Sequence, residues 1–252
     1  MSEEYDFYYL IGLGIGIRDL VFSGLRVSNL VASDALLRDC TLTDCIFEEC
    51  DFSAATFARA RLKDCQFIDS NLRDVSFEDV EAEDVTFKEC SMRGADFSDA
   101  EMTGMTFSSC VGSKLDFSRA AVINSHFEKT KFREALFFAT DLSTTKFTDC
   151  DISQAKFNVL TDASGVVFEN TIATDADMFT LEIDDLSGII ISPFAPISIG
   201  SVRQPLPPLV QPRASTPSNS PNLSIYAGVD KKAVLYCSSL EELTAARKKH
   251  VR

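Results

Sequence analysis

Apolar residues recur at every fifth position over most of the first two-thirds of this chain. The recurring position, here called the central position, runs through residues 17–157 and is filled mainly by Phe and Leu. Two residues before it lies a second position, here called the slot, which takes small or slim residues, chiefly Cys, Ala, Val and Ser. The other three positions are mostly charged or hydroxylated. A helix repeats about every 3.6 residues and a strand every second residue, so neither accounts for this period.

A coil with a square cross-section does account for it. Each five-residue unit forms one side with its central and slot side chains pointing inward, and four units make one rung, with rungs stacked about 4.8 Å apart. Residues 20 apart then share a side, which places Phe47 with Phe147 and, on the opposite side, Phe57 with Phe157. One extra residue within 158–163 returns Phe168 to the side of Phe147. The pattern predicts an all-β fold, a quadrilateral β-helix of about eight rungs.

Proline divides the chain, since all 8 prolines lie within residues 193–221. Proline at this density favours an extended, semi-rigid chain over a compact fold. We therefore predict four segments along the sequence. They are an N-terminal cap (1–16), the β-helix (17–188), a Pro/Ser-rich linker (189–229) and a C-terminal tail with a strand and a short helix (230–252).

The tail carries the pattern of a short helix. Residues 239–242 have the spacing of a helix-capping box, and Leu240 and Leu243 recur at helical spacing. An isolated helix of this length is marginal in water. We expect it to dock through these leucines on its own coil, on a second copy or on another protein. Leu136 and Phe138, which point outward from the predicted β-helix, form the candidate docking patch.

Composition offers little catalytic chemistry. The chain has 2 His, and spacing places no nucleophile or carboxylate with either, so we predict no enzyme, no cofactor and no metal site. Seven of the 8 Cys occupy slots, and we interpret them as reduced packing residues because free Cys behaves as a small hydrophobe. Gly12, Gly14 and Gly16 are not part of the strand–loop–helix unit that forms a phosphate-binding loop, so we assign them to the predicted cap.

The same features bear on location. Reduced thiols are typical of the cytoplasm. The longest apolar run, residues 8–17, is shorter than the roughly 20 residues that a membrane-spanning helix needs. The residues before it are acidic, whereas a signal peptide begins with positive charge. We predict a cytoplasmic protein without membrane contact.

The repeat resembles that of the pentapeptide-repeat family, whose pattern is a small residue, Asp or Asn, Leu or Phe, and two variable residues. Ala95-Asp96-Phe97, Cys50-Asp51-Phe52 and Ser70-Asn71-Leu72 carry this pattern, and the resemblance covers about residues 17–185. The resemblance implies a right-handed quadrilateral β-helix. The best-understood members, the Qnr-type and mycobacterial quinolone-resistance proteins, mimic DNA, bind DNA gyrase or topoisomerase IV and act as dimers.

Surface charge is the remaining functional signal. The net charge of −14 disfavours direct nucleic-acid binding, which needs a basic face. Residues 39–101 carry a net −11, whereas residues 111–158 carry +1. When residues 20 apart are stacked on one side of the coil, the acids form rows, which either mimic the phosphates of DNA or serve solubility. The candidate partner-binding residues are Asp44, Asp64, Asp84, Glu81, Glu83, Glu101, Glu49, Asp69, Glu89, Asp79 and Asp99.

Two hypotheses about function follow. We favour a non-enzymatic protein-binding rod, a scaffold or adaptor, with DNA gyrase or topoisomerase IV as the first named partner. The alternative is a DNA mimic that inhibits or protects topoisomerases and confers resistance to quinolone-like poisons. The acid rows favour the alternative, whereas the uneven charge, the basic tail and the lack of a long loop between repeats in residues 17–157 oppose it. The resemblance also implies a homodimer.

Overall fold

The computed structural model describes residues 3–12, 16, 18–158, 161–183, 189–191, 198–202 and 234–236. Most of its strands are three residues long and bury only the middle, central side chain, as Thr41–Thr43 does. Successive side chains of a strand point to opposite faces, so the flanking residues point to solvent. Short strands separated by corners, with one inward residue each, build the predicted all-β coil.

The first element of the described residues is the helix α1 (Glu3–Gly12). The first twelve strands are β1 (Val21–Ser23), β2 (Arg26–Ser28), β3 (Thr41–Thr43), β4 (Ile46–Glu48), β5 (Arg61–Lys63), β6 (Gln66–Ile68), β7 (Glu81–Glu83), β8 (Thr86–Lys88), β9 (Glu101–Thr103), β10 (Thr106–Ser108), β11 (Val111–Ser113) and β12 (Ala121–Ile123). The others are β13 (His126–Glu128), β14 (Lys131–Arg133), β15 (Leu136–Phe137), β16 (Lys146–Thr148), β17 (Lys156–Phe157), β18 (Val167–Glu169), β19 (Thr171–Ile172), β20 (Asp177–Ile183), β21 (Ile189–Ile191), β22 (Ser198–Val202) and β23 (Val234–Tyr236).

Strands one rung apart pair in parallel and define four faces. Face 1 is the sheet β1-β3-β5-β7-β9-β12, and face 2 is the sheet β2-β4-β6-β8-β10-β13-β16-β18. Face 3 contains β11-β14 and β19-β21-β23, joined by the single bridges Lys131 to Asp151 and Asp151 to Ile172, and bridges such as Ser91 to Val111 extend it to earlier rungs. Face 4 contains β15-β17-β20-β22 and similar bridges. Phe47 pairs with Phe67 and Phe67 with Phe87, which confirms the 20-residue rung and a coil of about eight turns.

Stacked Phe rings fill the core. On face 2, the rings of Phe47 and Phe67 stack with centroids 5.1 Å apart. Phe67 also meets Phe77, which belongs to face 4, edge-on at 6.1 Å. Stacked and edge-on arrangements are the favoured geometries of aromatic pairs. Faces 2 and 4 therefore touch through the core, and faces 1 and 3 are the other pair of opposite sides.

The slot position explains the high cysteine content. Its side chains donate hydrogen bonds to backbone carbonyls of the rung below, as Cys65 Sγ does to Leu42 O at 3.3 Å and Thr140 Oγ1 does to Phe117 O at 2.7 Å. Buried hydroxyls need such a partner, and Cys, Ser and Thr are small side chains with one donor each. The seven slot cysteines are free and buried, in agreement with their interpretation as core residues.

The predicted one-residue insertion is confirmed. Phe147 pairs with Phe168, 21 residues later in the chain. Near the insertion, the backbone N–H of Ala139 donates to Asn158 Oδ1 at 2.8 Å. One rung earlier, the equivalent N–H of Arg119 donates to a backbone carbonyl at 2.8 Å. The asparagine side chain thus replaces a missing carbonyl, and the coil continues beyond the insertion.

Helix α1 lies over the first rung of the coil. Phe7 is buried, with its ring 5.2 Å from that of Phe22 and 5.8 Å from that of Phe47. The hydroxyl of Tyr8 donates to the backbone oxygen of Ser28 at 3.1 Å. These contacts shield the open end of the Phe column from water, as a cap must in a stacked-repeat protein.

At the opposite end, parallel pairing extends past residue 188. Strand β22 pairs with β20, and β23 pairs with β21. Two described strands, β21 and β22, thus fall in the predicted linker and still stack on the coil. The predicted segment boundaries stay predictions, and the predicted helix of the tail lies outside the described residues.

Candidate protein-binding surface

A residue with left-handed backbone forms each corner of the coil. It lies two residues after the central position, and its φ ranges from 46° at Asp69 to 64° at Gln154 where it is not glycine. Asp and Asn are enriched in this conformation because their short polar side chains bond locally. Eight of the eleven predicted partner-binding acids are corner residues, namely Asp44, Glu49, Asp64, Asp69, Asp79, Asp84, Glu89 and Asp99. Part of the acid content therefore serves the corner itself.

The other three predicted acids, Glu81, Glu83 and Glu101, point outward from face 1. Strand register places Arg61 beside Glu81 and Glu81 beside Glu101. Arg61 Nε lies 2.8 Å from Glu81 Oε2, and Lys63 Nζ lies 2.9 Å from Glu83 Oε2. The Arg61 hydrogen bond lowers the pKa of Glu81. Cations of the preceding rung thus form solvent-exposed ion pairs with two of these three carboxylates.

Similar ion pairs join rungs at the corner between faces 4 and 1. Arg59 Nε lies 2.7 Å from Asp39 Oδ1, and Arg119 Nε lies 2.6 Å from Asp99 Oδ1. The Arg119 hydrogen bond lowers the pKa of Asp99. Among the described residues, the predicted acids with no cation within 4.0 Å are Glu49, Asp64, Asp69, Asp79, Asp84 and Glu101.

The predicted docking patch is less open than expected. Leu136 and Phe138 are half-buried, and Leu136 lies beside Lys156 of the next rung. Their predicted counterparts, Leu240 and Leu243, lie outside the described residues. Docking of the tail therefore stays a prediction.

Face 3 carries a group of cations that the sequence analysis missed. Arg73, Arg93 and Arg133 each follow a central position of this face and form one column, and Lys114 and Lys131 flank it. In the described part of the chain, no carboxylate lies within 4.0 Å of any of the five. Charge sums along the sequence average over all four faces and conceal this column. Grouping the cations of the sequence by face, at intervals of 20 residues, would have revealed this column.

The described residues offer little for catalysis. No three His, Cys, Asp or Glu side chains among them converge as a metal site. His126 Nε2 lies 3.1 Å from Thr148 Oγ1, a neutral partner. Burial raises the pKa of the Cys40 thiol to about 12 and that of Cys150 to about 11, so both are poor nucleophiles at neutral pH. A hydrogen bond with Cys65 lowers the pKa of Cys45 to about 7, but the Cys45 side chain is buried away from solvent. The described part of the chain also contains no helix with the length and apolar character needed to cross a membrane.

Fold and repeat together define the class, a parallel β-solenoid built from five-residue units. Residues 40–114 match the model of a pentapeptide repeat region, and residues 116–157 match the model of pentapeptide repeats in 8 copies. The chain is a pentapeptide-repeat protein. No curated protein matches its sequence.

Two solved structures are similar to this chain at low identity. A trypsin-treated variant of QnrB1, a plasmid-mediated fluoroquinolone resistance protein, is 16% identical with a TM-score of 0.36, over 92% of this chain and 98% of that chain. HetL, involved in heterocyst differentiation regulation in the cyanobacterium Nostoc sp. strain PCC 7120, is 14% identical with a TM-score of 0.35, over 80% of this chain and 99% of that chain. A likeness of this extent assigns no function.

Proposed function

We propose that this chain is a non-enzymatic protein-binding rod, a scaffold or adaptor that presents flat charged faces to a protein partner. The observation that carries the proposal is the separation of surface charge on one uninterrupted coil. Open carboxylates such as Asp64, Asp84 and Glu101 lie on and beside face 1, whereas the Arg73 and Arg93 column lies on face 3. Stacked-repeat proteins use such extended surfaces for binding.

The mechanism of such a rod is preorganisation. Its charged side chains stand on backbone that is already fixed by rung-to-rung hydrogen bonds, such as Asp64 N to Glu83 O at 3.1 Å and Asp84 N to Thr103 O at 3.0 Å. A partner therefore does not have to order the backbone of the binding surface, which would otherwise cost free energy on association. The charges also steer the approach of an oppositely charged partner.

As the first named partner we propose DNA gyrase or topoisomerase IV, which the resemblance to Qnr-type proteins implies. A DNA-mimic inhibitor or protector that confers quinolone resistance is the second candidate, and the open acid column of Asp64 and Asp84 favours it. That column carries one charge about every 4.8 Å, against one about every 3.4 Å along a DNA strand. It therefore reproduces the charge density of one strand only in part.

A gyrase supercoiling assay with and without a quinolone tests the named partner. We expect inhibition or protection by the wild type, and its loss in the charge-reversal variant D64K/D84K. The matched control is D34K/D175K, which reverses two other corner acids with φ of 59° and 58° on the corner after face 3. If the wild type neither inhibits nor protects gyrase at large molar excess, gyrase is not the partner. If the effect on gyrase survives D64K/D84K, the acid column is not the contact.

We also propose that the protein works in the cytoplasm. Seven buried, free slot cysteines support this location, because reducing compartments keep thiols unpaired. Fractionation of cells that produce the untagged protein is the direct measurement. Recovery in a periplasmic or membrane fraction would contradict the proposal.

A further inference from the structure

Opposite sides of the coil carry opposite charge. Face 1 presents Glu81, Glu83 and Glu101 outward over two successive rungs. Face 3 presents Arg73 and Arg93 outward, and both are exposed. The two faces also differ in pairing. The cations of face 1 at β5 are held by carboxylates one rung away, whereas the cations of face 3 have none within reach among the described residues.

Stacking Arg73 and Arg93 one rung apart is unfavourable on its own, because like charges on neighbouring strands repel. The nearest acid in sequence, Asp74, forms no ion pair within 4.0 Å with any cation of the described residues. Its carboxylate lies against Gly94, where a Cβ atom would clash with Asp74 Oδ1. The charge on face 3 is thus left for a partner that brings carboxylates at the rung spacing.

We propose that face 3 of one copy binds face 1 of a second copy, with the two coils side by side and their axes parallel. Strands on opposite sides of a closed coil run in opposite directions. When two copies are related by a sideways shift, the facing strands of face 1 and face 3 are therefore antiparallel. The residue before the central position on face 1 then lies opposite the residue after the central position on face 3.

One register of this contact has no like-charged pair among the facing residues. A strand of face 1 sits half a rung from the nearest strands of face 3, so an axial shift of about 2.4 Å in either direction aligns them. One direction brings together ten pairs over five rungs, of which five are either oppositely charged or apolar and the other five each include an uncharged residue. The five oppositely charged or apolar pairs, written with the face 3 residue first, are Asp51 with Lys63, Arg73 with Glu81, Arg93 with Glu101, Val111 with Ile123, and Arg133 with Asp141.

The opposite shift gives a poor contact. It sets Arg73 against Arg61, it sets Arg133 against Ala121, and of the charged pairs it keeps only Arg93 with Glu81. The apolar pair singles out the favoured register independently of charge. Val111 is 46% exposed and is among the few large apolar side chains open to solvent in the described residues. In the favoured register it lies opposite Ile123.

A second copy fits face 3 better than an unrelated acidic protein does, because its rung spacing is identical and the match therefore holds over five rungs. The contact uses different faces on the two copies, so it is open-ended and forms side-by-side arrays rather than closed dimers.

The net charge of −14 opposes association at low salt. At about 0.15 M salt the screening length is about 8 Å, which weakens this long-range repulsion more than contacts between facing side chains.

The test is analytical ultracentrifugation of the full-length protein from about 10 μM to 1 mM. We expect its weight-average mass to rise with concentration, most strongly near 0.15 M NaCl and less at 1 M NaCl. R73E/R93E and E81R/E101R should each raise the dissociation constant at least tenfold. The matched control R38E/K156E makes the same change in charge as R73E/R93E at exposed cations of face 4, and it should associate like the wild type.

The charge-swap variant R73E/R93E/E81R/E101R provides the decisive comparison. It restores opposite charge at both contacts and should associate again, whereas each parent pair of substitutions alone should not. Circular dichroism melting of every variant shows that its coil is folded. A wild type that stays monomeric at 1 mM overturns the proposal, as does association that survives R73E/R93E or a swap that fails to restore it. No gyrase is present, so the outcome is independent of the proposed partner.

Discussion

The side chain of Leu115 occupies the space that Gly112 leaves in the core. A Cβ atom on Gly112 would lie 2.8 Å from Leu115 Cδ1 and 3.0 Å from the backbone carbon of Met92. Gly112 stands at a central position, which elsewhere takes Phe or Leu, and Leu115 stands at a slot, which elsewhere takes mostly smaller residues. The small residue thus occupies the central position and the large residue occupies the slot. Because the two positions adjoin in the core, the Leu115 side chain fills the space beside Gly112 and leaves no cavity there.

This exchange predicts energetic coupling between the two sites. Leu115→Ala should cost about 2–5 kcal/mol by opening a cavity, and Gly112→Ala about 1–3 kcal/mol by overpacking. In the double variant the new methyl group enters the space that Leu115 vacates. The combined loss, measured by urea denaturation, should fall short of the sum by about 0.5–3 kcal/mol. The control pairs Gly112→Ala with Leu42→Ala, which lies more than three rungs away and should be additive. Additivity of the adjacent pair would contradict the exchange.

A second prediction concerns the corner at Gly104. Gly24 and Gly104 have nearly the same φ, 71° and 69°, but only Gly104 is covered, since a Cβ atom there would clash with Asp84 Oδ1. Gly24→Ala should therefore cost about 1–2 kcal/mol for the left-handed backbone alone. Gly104→Ala should cost more, because the Asp84 carboxylate must also move. Chemical denaturation measures both.

Removing the Asp84 side chain separates the two contributions at Gly104. In an Asp84→Ala background, Gly104→Ala should cost no more than Gly24→Ala does in the wild type. If the extra cost persists there, the contact with Asp84 is not its cause. The same variant shows how far an acid of the predicted partner-binding set is involved in the fold.

These corners show how far the sequence alone could lead. The five-residue period predicted the coil, its rungs and the pairing of Phe147 with Phe168, because inward-pointing residues of a stacked coil must repeat with its geometry. The period gave no information about backbone handedness at the corners. The period alone therefore leaves Asp64 and Asp84 as surface acids that serve partner binding or solubility, although their position also selects for Asp. The cations of face 3 were missed because linear charge sums ignore which face a residue occupies.

The third prediction is a pH dependence. Arg61 lowers the pKa of Glu81 from its ordinary 4.5, and Arg119 lowers that of Asp99 from its ordinary 3.8. A lowered carboxyl pKa stabilises the fold fully above the ordinary value, and this contribution is lost as the pH falls through the lowered value. The difference in melting temperature between the wild type and Arg119→Gln should therefore be largest at neutral pH and vanish in strong acid.

Salt provides the control for this pH dependence, because the Arg119 side chain is 62% exposed and that of Asp99 is 34% exposed, so that solvent ions screen their interaction. The difference between wild type and Arg119→Gln at neutral pH should shrink in 1 M NaCl. A difference that grows as the pH falls below 3 would have the wrong sign for this ion pair. Such a result would assign the stabilising role of Arg119 to packing instead of charge.

The last prediction concerns the thiols. A Cys237→Ser variant removes the one cysteine outside the slots, and its seven remaining thiols are free and buried. At pH 8 a pKa of about 12 leaves about one Cys40 thiol in 10,000 as thiolate. The pKa of Cys45 is lowered to about 7 by its hydrogen bond with Cys65, so burial alone keeps the reagent from that thiol. Ellman's reagent should therefore label no thiol in minutes in the native protein and seven in denaturant. A thiol that labels rapidly before unfolding would show that its slot opens, and the inward hydrogen bonds of the slots would then not keep the coil closed at that rung.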